Sequence, residues 1–214
     1  MSEDIQINPN EKKNTDFKNL ILNYKGMIIS ILSIFLIILF SYFFYKDHKN
    51  DVKLRISEEY NSAIINYENK NPNLSISYMK KLIDSKDSTY SPLALYFLLD
   101  NDLLKNKSDI NKYFDILIYE TKLDKEVKNL IIYKKGLYNS NSASEEEILN
   151  IFKPLINSEN IWKSHTLYII AEYYYSKNEM KKSKEFFEKI LEMEKSNPKI
   201  KIEAQKRLQR DFSA

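Results

Sequence analysis

The sequence predicts an all-α protein, with one membrane-spanning helix near the N-terminus followed by a stack of helix hairpins. The first observation is a run of twenty residues that contains no charge. The second is the spacing of apolar residues beyond this run, which recur every three or four positions as on amphipathic helices. The third is an apolar pattern that occurs four times, about 35 residues apart. Only two of the 214 residues are glycine, which disfavours an all-β fold with many tight turns.

The uncharged run, from Gly26 to Tyr45, has the length of a transmembrane helix. Lys25 and Lys46 bound it, and its twenty residues would extend about 30 Å, the thickness of a bilayer's hydrocarbon core. A buried helix of a soluble core is one alternative, although such helices rarely run this long without a charge. A cleaved signal peptide is another, but the run is long and ends in Tyr-Phe-Phe-Tyr, with no small-residue cleavage site. We therefore expect an uncleaved anchor.

The anchor divides the chain into three predicted parts. Residues 1–20 lack apolar periodicity and are rich in Ser, Asn, Lys and Glu, so we expect a disordered tail. Residues 21–46 form the transmembrane helix, and residues 47–214 form a domain of short helices. The apolar spacing between Lys46 and Asn69 predicts a helix, and we expect the helix of the anchor to run on through Asp47 into it.

Helix starts in the domain are marked by prolines and by capping side chains. Proline suits the first position of a helix because its φ is fixed and the N–H that it lacks would have no partner there. Such starts are predicted at Asn71-Pro72, Ser91-Pro92 and Asn197-Pro198. A capping box is predicted between Ser144 and Glu147. Pro154 lies inside a predicted helix, and we expect it to kink or shorten that helix.

The repeated pattern consists of two apolar residues, two residues of any kind and two further apolar residues. Its copies are Tyr78-Met79 with Leu82-Ile83, Tyr113-Phe114 with Leu117-Ile118, Ile151-Phe152 with Leu155-Ile156, and Phe186-Phe187 with Ile190-Leu191. Sixteen residues before the second member of each first pair stand Ala63, Leu98, Gly136 and Ala171. Three of these four are small, as two antiparallel helices require where they approach closely. This arrangement and a period near 34 are typical of tetratricopeptide repeats.

The fourth copy, from Ser164 to Met193, resembles the tetratricopeptide pattern best. The matching residues are Leu167, Ile170, Ala171, Tyr174, Ser183, Phe187 and Ile190. Asn178 lies at the turn between its two helices, where a left-handed residue is often needed. A terminal helix is predicted from Pro198 to Phe212, with an apolar stripe and basic residues outside, as a solenoid cap requires. The predicted domain is therefore an α-solenoid of about four tetratricopeptide-like hairpins with a C-terminal capping helix.

Composition argues against enzymes and against nucleic-acid binding. The chain contains no cysteine, which excludes disulfides, thiolate metal sites and thiol catalysis. Its 33 basic and 30 acidic residues are interspersed in the domain, so we expect no basic stripe for nucleic acid. The only histidines are His48, at the membrane edge, and His165, and no metal-ligand spacing such as H-E-x-x-H occurs. We predict no catalytic residues, no metal, no cofactor and no small-molecule substrate.

Protein binding is the remaining function, and the fourth copy supplies candidate residues. In the tetratricopeptide register, Leu167, Ile170, Ala171 and Tyr174 point into the helix pair. His165, Tyr168, Glu172 and Tyr175 then face the concave side and are the predicted partner-binding residues. The alternative is that the tyrosines of this helix simply pack between repeats. Trp162 is expected to be a wedge between repeats rather than a ligand contact.

With anchor and repeats together, the chain resembles the ancillary subunit family of the bacterial Sec translocon, whose members have a single span and a tetratricopeptide-like periplasmic domain. The resemblance is carried by the anchor Gly26–Tyr45, SPLALYFLLDNDLLKNKSDINKYFDILI from Ser91, NIWKSHTLYIIAEYYY from Asn160 and the closing PKIKIEAQKRL. It implies an inner-membrane protein with a cytoplasmic tail and a periplasmic domain. It also implies contact with Sec translocon subunits and with periplasmic chaperones that handle exported proteins.

Flanking charge does not decide the orientation independently. Within about fifteen residues of the anchor, four basic residues lie on each side, namely Lys12, Lys13, Lys18 and Lys25 before it and Lys46, Lys49, Lys53 and Arg55 after it. The leading hypothesis is a non-catalytic accessory subunit of the Sec translocon. A structural scaffold for cell-envelope or division complexes is the alternative, and a membrane-bound enzyme with an unusual site is a third class.

Overall fold

The structure is a computed structural model that describes residues 24–212. The predicted disordered tail, residues 1–20, lies outside this range. Between Tyr24 and Phe212 the chain contains helices and no strand, which confirms the predicted all-α class. The elements are α1 (Lys25–Glu68), α2 (Pro72–Asp84), α3 (Tyr90–Asp100), α4 (Lys107–Asp115), a π-helical turn (Ile116–Glu120), α5 (Lys125–Asn139), α6 (Glu145–Ile156), α7 (Lys163–Ser176), α8 (Met180–Glu192) and α9 (Pro198–Asp211).

The chain divides into two units, one up to Arg55 and one from Ile56. In the first unit, α1 contains a segment long and apolar enough to cross a membrane. The hydroxyls of Ser30 and Ser33 donate to the carbonyls of Gly26 and Ile29, at 3.0 and 2.9 Å, so these polar groups are satisfied within the helix. The predicted continuation through Asp47 is confirmed, since α1 extends to Glu68.

The second unit has a core built from the repeated apolar positions. Met79, Phe114, Phe152 and Phe187 are each buried, and so is the residue three positions after each of them. The residue sixteen positions before each is buried as well, namely Ala63, Leu98, Gly136 and Ala171. Successive helices pack together over α5, α6, α7, α8 and α9, and α2 packs against α3. Burial of these apolar side chains is the main stabilising term of the unit.

Two helix pairs approach closely at the small residue sixteen positions before the buried phenylalanine. A Cβ added to Gly136 on α5 would lie 2.1 Å from the ring of Phe152 on α6, so only glycine fits this position. In the pair α7 and α8, Ala171 is fully buried and its carbonyl accepts a hydrogen bond from the hydroxyl of Ser183 at 2.9 Å. Helices α3 and α4 approach less closely, and there the larger Leu98 takes this position.

Several predicted helix ends are confirmed. The side chain of Asn197 accepts from the N–H groups of Lys199 and Ile200, and Ser144 and Glu147 form the capping box. Asn178 has a φ of 62°, in the left-handed region, as predicted for the turn between α7 and α8. The helix α6 includes Pro154 and ends two residues later, at Ile156.

The predicted helix start at Ser91-Pro92 is wrong by two residues. Helix α3 begins at Tyr90, because the carboxylate of Asp87 accepts from the N–H groups of Thr89 and Tyr90, each at 2.8 Å. Ser91 is buried and donates its hydroxyl to the carbonyl of Leu82 at 2.7 Å instead. Its polar group therefore joins α3 to α2 rather than capping a helix.

The π-helical turn after α4 was not predicted from the sequence. It ends at Glu120, and the N–H and hydroxyl of the following Thr121 both donate to the carbonyl of Ile116, at 3.0 and 3.1 Å. One carbonyl thus accepts two bonds from a residue five positions later, which is the spacing of a π-helix. Ile116, Leu117 and Ile118 are buried by this turn.

Replacing Gly136 with alanine should destabilise the second unit by roughly 1–3 kcal/mol, because the added methyl group overlaps the Phe152 ring. The measurement is urea unfolding of the full chain in detergent micelles, followed by the fluorescence of Trp162, the only tryptophan. Gly26→Ala is the matched control, since a Cβ there meets nothing within 4 Å. Equal unfolding midpoints for Gly136→Ala and the wild type would contradict the close approach of α5 and α6.

Candidate partner-binding surface

The four predicted partner-binding residues lie along one side of α7. His165, Tyr168, Glu172 and Tyr175 are all half-buried. The residues predicted to point into the helix pair, Leu167, Ile170, Ala171 and Tyr174, are buried. The four predicted partner-binding residues therefore lie between the core face of α7 and solvent. Each of their side chains contacts another part of the second unit.

The C-terminal half of this side is occupied by α9. Nε and Nη2 of Arg207 donate to the two carboxylate oxygens of Glu172, at 2.6 and 2.8 Å. The same guanidinium lies 4.2 Å from the centre of the Tyr175 ring, and the Phe212 ring lies edge-on to Tyr175 at 6.1 Å. A paired carboxylate surrounded by rings is a strong local interaction. Glu172 and Tyr175 are thus both already used to attach α9.

The N-terminal half of this side is an aromatic cluster that joins α5 to α7. The rings of Tyr133 and Trp162 are stacked, with centres 5.3 Å apart, and His165 lies within 6.1 Å of both. Trp162 therefore packs between α5 and α7, as predicted for a wedge between repeats. Burial lowers the pKa of His165, and the backbone carbonyl of Ile161 opposes this. The imidazole is consequently neutral at pH 7 and serves as a third ring.

The predicted Tyr168 belongs to a row of three tyrosines, of which the sequence analysis missed Tyr60 and Tyr133 as surface residues. Tyr60, Tyr133 and Tyr168 each precede the small residue of their repeat by three positions. All three are half-buried and contact another ring, namely Tyr90, Trp162 and Phe187 respectively. The signal was available, because a tyrosine stands three residues before Ala63, Gly136 and Ala171. We include these tyrosines in the candidate surface.

A polar cleft of about 520 Å³ lies among α4, α5 and α6. At its base the side-chain amides of Asn111 and Asn139 donate to each other, at 3.1 and 2.8 Å. Each amide also donates to a backbone carbonyl of its own helix. Lys135 at the edge is paired with Asp115 at 2.6 Å. The side chains of Asn111, Asn139 and Lys135 are thus satisfied by the protein itself, which makes them less available to a ligand.

An apolar cleft of about 390 Å³ lies beside α7 and α8. Ile156, Leu167, Phe186 and Met193 line it, with Lys163 and Lys189 at its edge. Both lysines are paired with glutamates on their own N-terminal side, at 2.8 and 2.7 Å. The cleft therefore offers mainly apolar contact, with both of its lysines already paired and the Glu192 side chain at its edge.

No group of three or more His, Asp or Glu side chains that could hold a metal ion occurs among residues 24–212. The carboxylates of Glu145 and Glu147, at the start of α6, have structural partners. Lys182 donates to Glu145 at 2.8 Å, and Glu147 closes the capping box with Ser144. The predicted absence of a catalytic site and of a cofactor stays a prediction.

Comparison of the chain with protein-family models, with curated proteins and with solved structures gives no match.

Replacing Arg207 with methionine should lower the stability of the second unit by roughly 1.5–3 kcal/mol, because a half-buried Glu172 loses its two charged donors. Urea unfolding of the full chain, followed by Trp162 fluorescence, measures this. The control is Lys206→Met on the same helix, where an exposed pair with Glu203 is removed and the midpoint should hardly change. If the two substitutions have equal effects, Arg207 does not hold α9 against α7.

Low pH should destabilise the second unit in part because the carboxylate of Glu145 becomes protonated. Hydrogen bonds from Lys182 and from the Tyr174 hydroxyl lower the pKa of Glu145. The stabilisation is complete above the ordinary pKa of a glutamate, near pH 4, and is lost as the pH falls through the lowered value in the folded state. Glu145→Gln should therefore reduce the loss of stability between about pH 5 and pH 3.

The measurement is the urea midpoint across this pH range. Glu146→Gln removes a neighbouring exposed carboxylate and controls for the change in net charge. A pH dependence in Glu145→Gln as steep as in the control would show that the hydrogen bonds of Glu145 do not stabilise the fold.

Proposed function

We propose that the protein is a membrane-anchored protein-interaction module. The observation that supports the proposal is that α1 contains both a segment able to span a membrane and a segment that packs into the core of the second unit. Between Gly26 and Tyr45, α1 is uncharged and long enough to cross a bilayer, and from Ile56 it contributes to the core of the second unit. An anchor joined to a helical domain with half-buried aromatic rings supports binding rather than catalysis.

The second unit is, in this proposal, a tetratricopeptide-like solenoid of about four helix hairpins. Support comes from the same positions being buried in all four copies and from the close packing of Gly136 against Phe152. The helix α9 then closes the C-terminal end of the stack. It covers α7 and α8 with Ala204 and Arg207 and exposes Lys199 and Arg210 to solvent, as an end cap requires.

The binding surface in the proposal is the aromatic side of the first helix of each pair. Tyr133, His165 and Tyr168 supply rigid, partly accessible rings on α5 and α7, and Trp162 packs between these two helices and holds Tyr133 and His165 in place. Aromatic side chains contribute a large contact area at low conformational cost, and they are enriched where proteins bind one another. A helix or an extended segment of a partner fits such a row.

The partners are proposed from the resemblance to the ancillary Sec translocon family. In this assignment the tail is cytoplasmic, the second unit is periplasmic, and the protein links exported proteins at the translocon to periplasmic chaperones. Anchoring supports such a role by mass action, because confinement beside translocons raises the effective concentration of the site.

Photo-crosslinking in living bacteria that express the full chain tests the proposal. A photoreactive residue is placed at Tyr133 or Tyr168 and, as matched controls, at the exposed Lys181 or Lys184 of α8. We expect crosslinks to Sec subunits or periplasmic chaperones from the first two positions only. Crosslinks to cell-envelope or division proteins would favour the structural scaffold. Equal crosslinking from all four positions, or none, would contradict an aromatic binding surface.

A further inference from the structure

We propose that Lys46, Lys49 and Lys53 of α1, the lysine stripe, bind the headgroup phosphates of anionic phospholipids. The inference rests on the proposed anchoring of α1 in a bilayer and adds a preference for one class of lipid. All three lysines belong to the first unit and directly follow the uncharged run, which ends at Tyr45.

The lysine stripe occupies one face of the helix. At about 100° of rotation per residue, Lys49 and Lys53 lie within roughly 60° of Lys46 around the axis. The acidic residues Asp47 and Asp51 lie about 100° and 140° from Lys46 around the axis, and Arg55 lies beside Asp51. The lysine stripe is therefore a face that contains no acidic residue, separate from the side that carries both aspartates and Arg55.

The charges of the lysine stripe are not neutralised within the part of the chain from Tyr24 to Phe212. Each of the three side chains is exposed, and none forms an ion pair with another residue of this range. Lys49 and Lys53 are also four residues apart, the spacing at which like charges on a helix repel each other. An external anion on this face would relieve that repulsion.

The direction of the helix brings the lysine side chains toward the bilayer. Side chains of an α-helix tilt toward its N-terminus, and here the membrane-spanning run is N-terminal to the lysine stripe. Lys53 lies about 10 Å beyond Lys46 along the axis, and its flexible side chain extends back toward the headgroups. All three ammonium groups can therefore reach a headgroup layer roughly 5–8 Å thick on each side of the hydrocarbon core.

An aromatic residue marks the same face at the edge of the uncharged run. Tyr42 precedes Lys46 by one turn, and the residue is 61% exposed. Tyrosine is enriched at membrane interfaces, where its ring meets the acyl chains and its hydroxyl meets the headgroups. Along this face the tyrosine comes first and the lysines follow, in the order in which the hydrocarbon core of a bilayer gives way to its phosphate layer. This order favours a lipid over an acidic protein segment as the occupant.

The experiment measures which lipids remain bound to the full chain. The protein is inserted into nanodiscs of equal parts phosphatidylcholine and phosphatidylglycerol and analysed by native mass spectrometry. We expect a several-fold excess of bound phosphatidylglycerol, because a lysine at an anionic surface contributes about a fivefold preference. The excess should fall toward the mixing ratio in Lys46→Gln/Lys49→Gln/Lys53→Gln and with added salt.

The matched control is Lys122→Gln/Lys125→Gln/Lys199→Gln, which removes three exposed lysines of the second unit and should keep the excess. Equal binding of both lipids by the wild type overturns the proposal, and this is also the result expected if the stripe binds an acidic protein instead. An excess that persists in the stripe variant, or is lost in both variants, overturns it too. If the wild type does not enter nanodiscs, the anchoring itself is wrong.

Discussion

The close approach of paired helices at small residues is the constraint on which the second unit depends. At Gly136 the space for a side chain is taken by the Phe152 ring, so the distance between α5 and α6 is set by the absence of a Cβ. The position of α5 in turn places Tyr133 against Trp162 at the start of α7. The close contact of Gly136 with Phe152 thereby helps to set the position of the Tyr133 ring against Trp162.

Helix α9 takes up part of the candidate surface of α7. Its Ala204 is fully buried against the core residues of α7 and α8. Arg207 adds a charged contact to Glu172 and lies over Tyr175, so two of the four predicted partner-binding residues contact the same arginine. The rings nearer α5 remain, and the candidate surface is therefore centred between α5 and α7 rather than at the end of α7.

Sequence patterns predicted the features that depend on local spacing. The buried positions at Phe152 and Phe187 follow from helical periodicity, and the turn at Asn178 follows from the conformational preference of asparagine. The start of α3 was misplaced because the carboxylate of Asp87 competes with Ser91 as the capping group. The pair of Arg207 with Glu172 joins residues 35 positions apart, and no local rule indicates such a contact. The start of α3 and the pairing of Arg207 with Glu172 thus depend on specific side-chain contacts, which helical periodicity does not predict.

In the proposed arrangement, the anchor changes how strong the binding surface must be. A site tethered close to its partner works at an effective concentration that reaches about millimolar, so a dissociation constant of similar size gives half occupancy. Partly accessible rings such as Tyr133 and Tyr168 suit weak contact, because much of each ring already packs within the protein. Weak contact also allows rapid release, since differences in affinity between related complexes reside mainly in the dissociation rate. A module that passes chains from one partner to the next needs that release as much as it needs capture, and an anchored aromatic surface provides both.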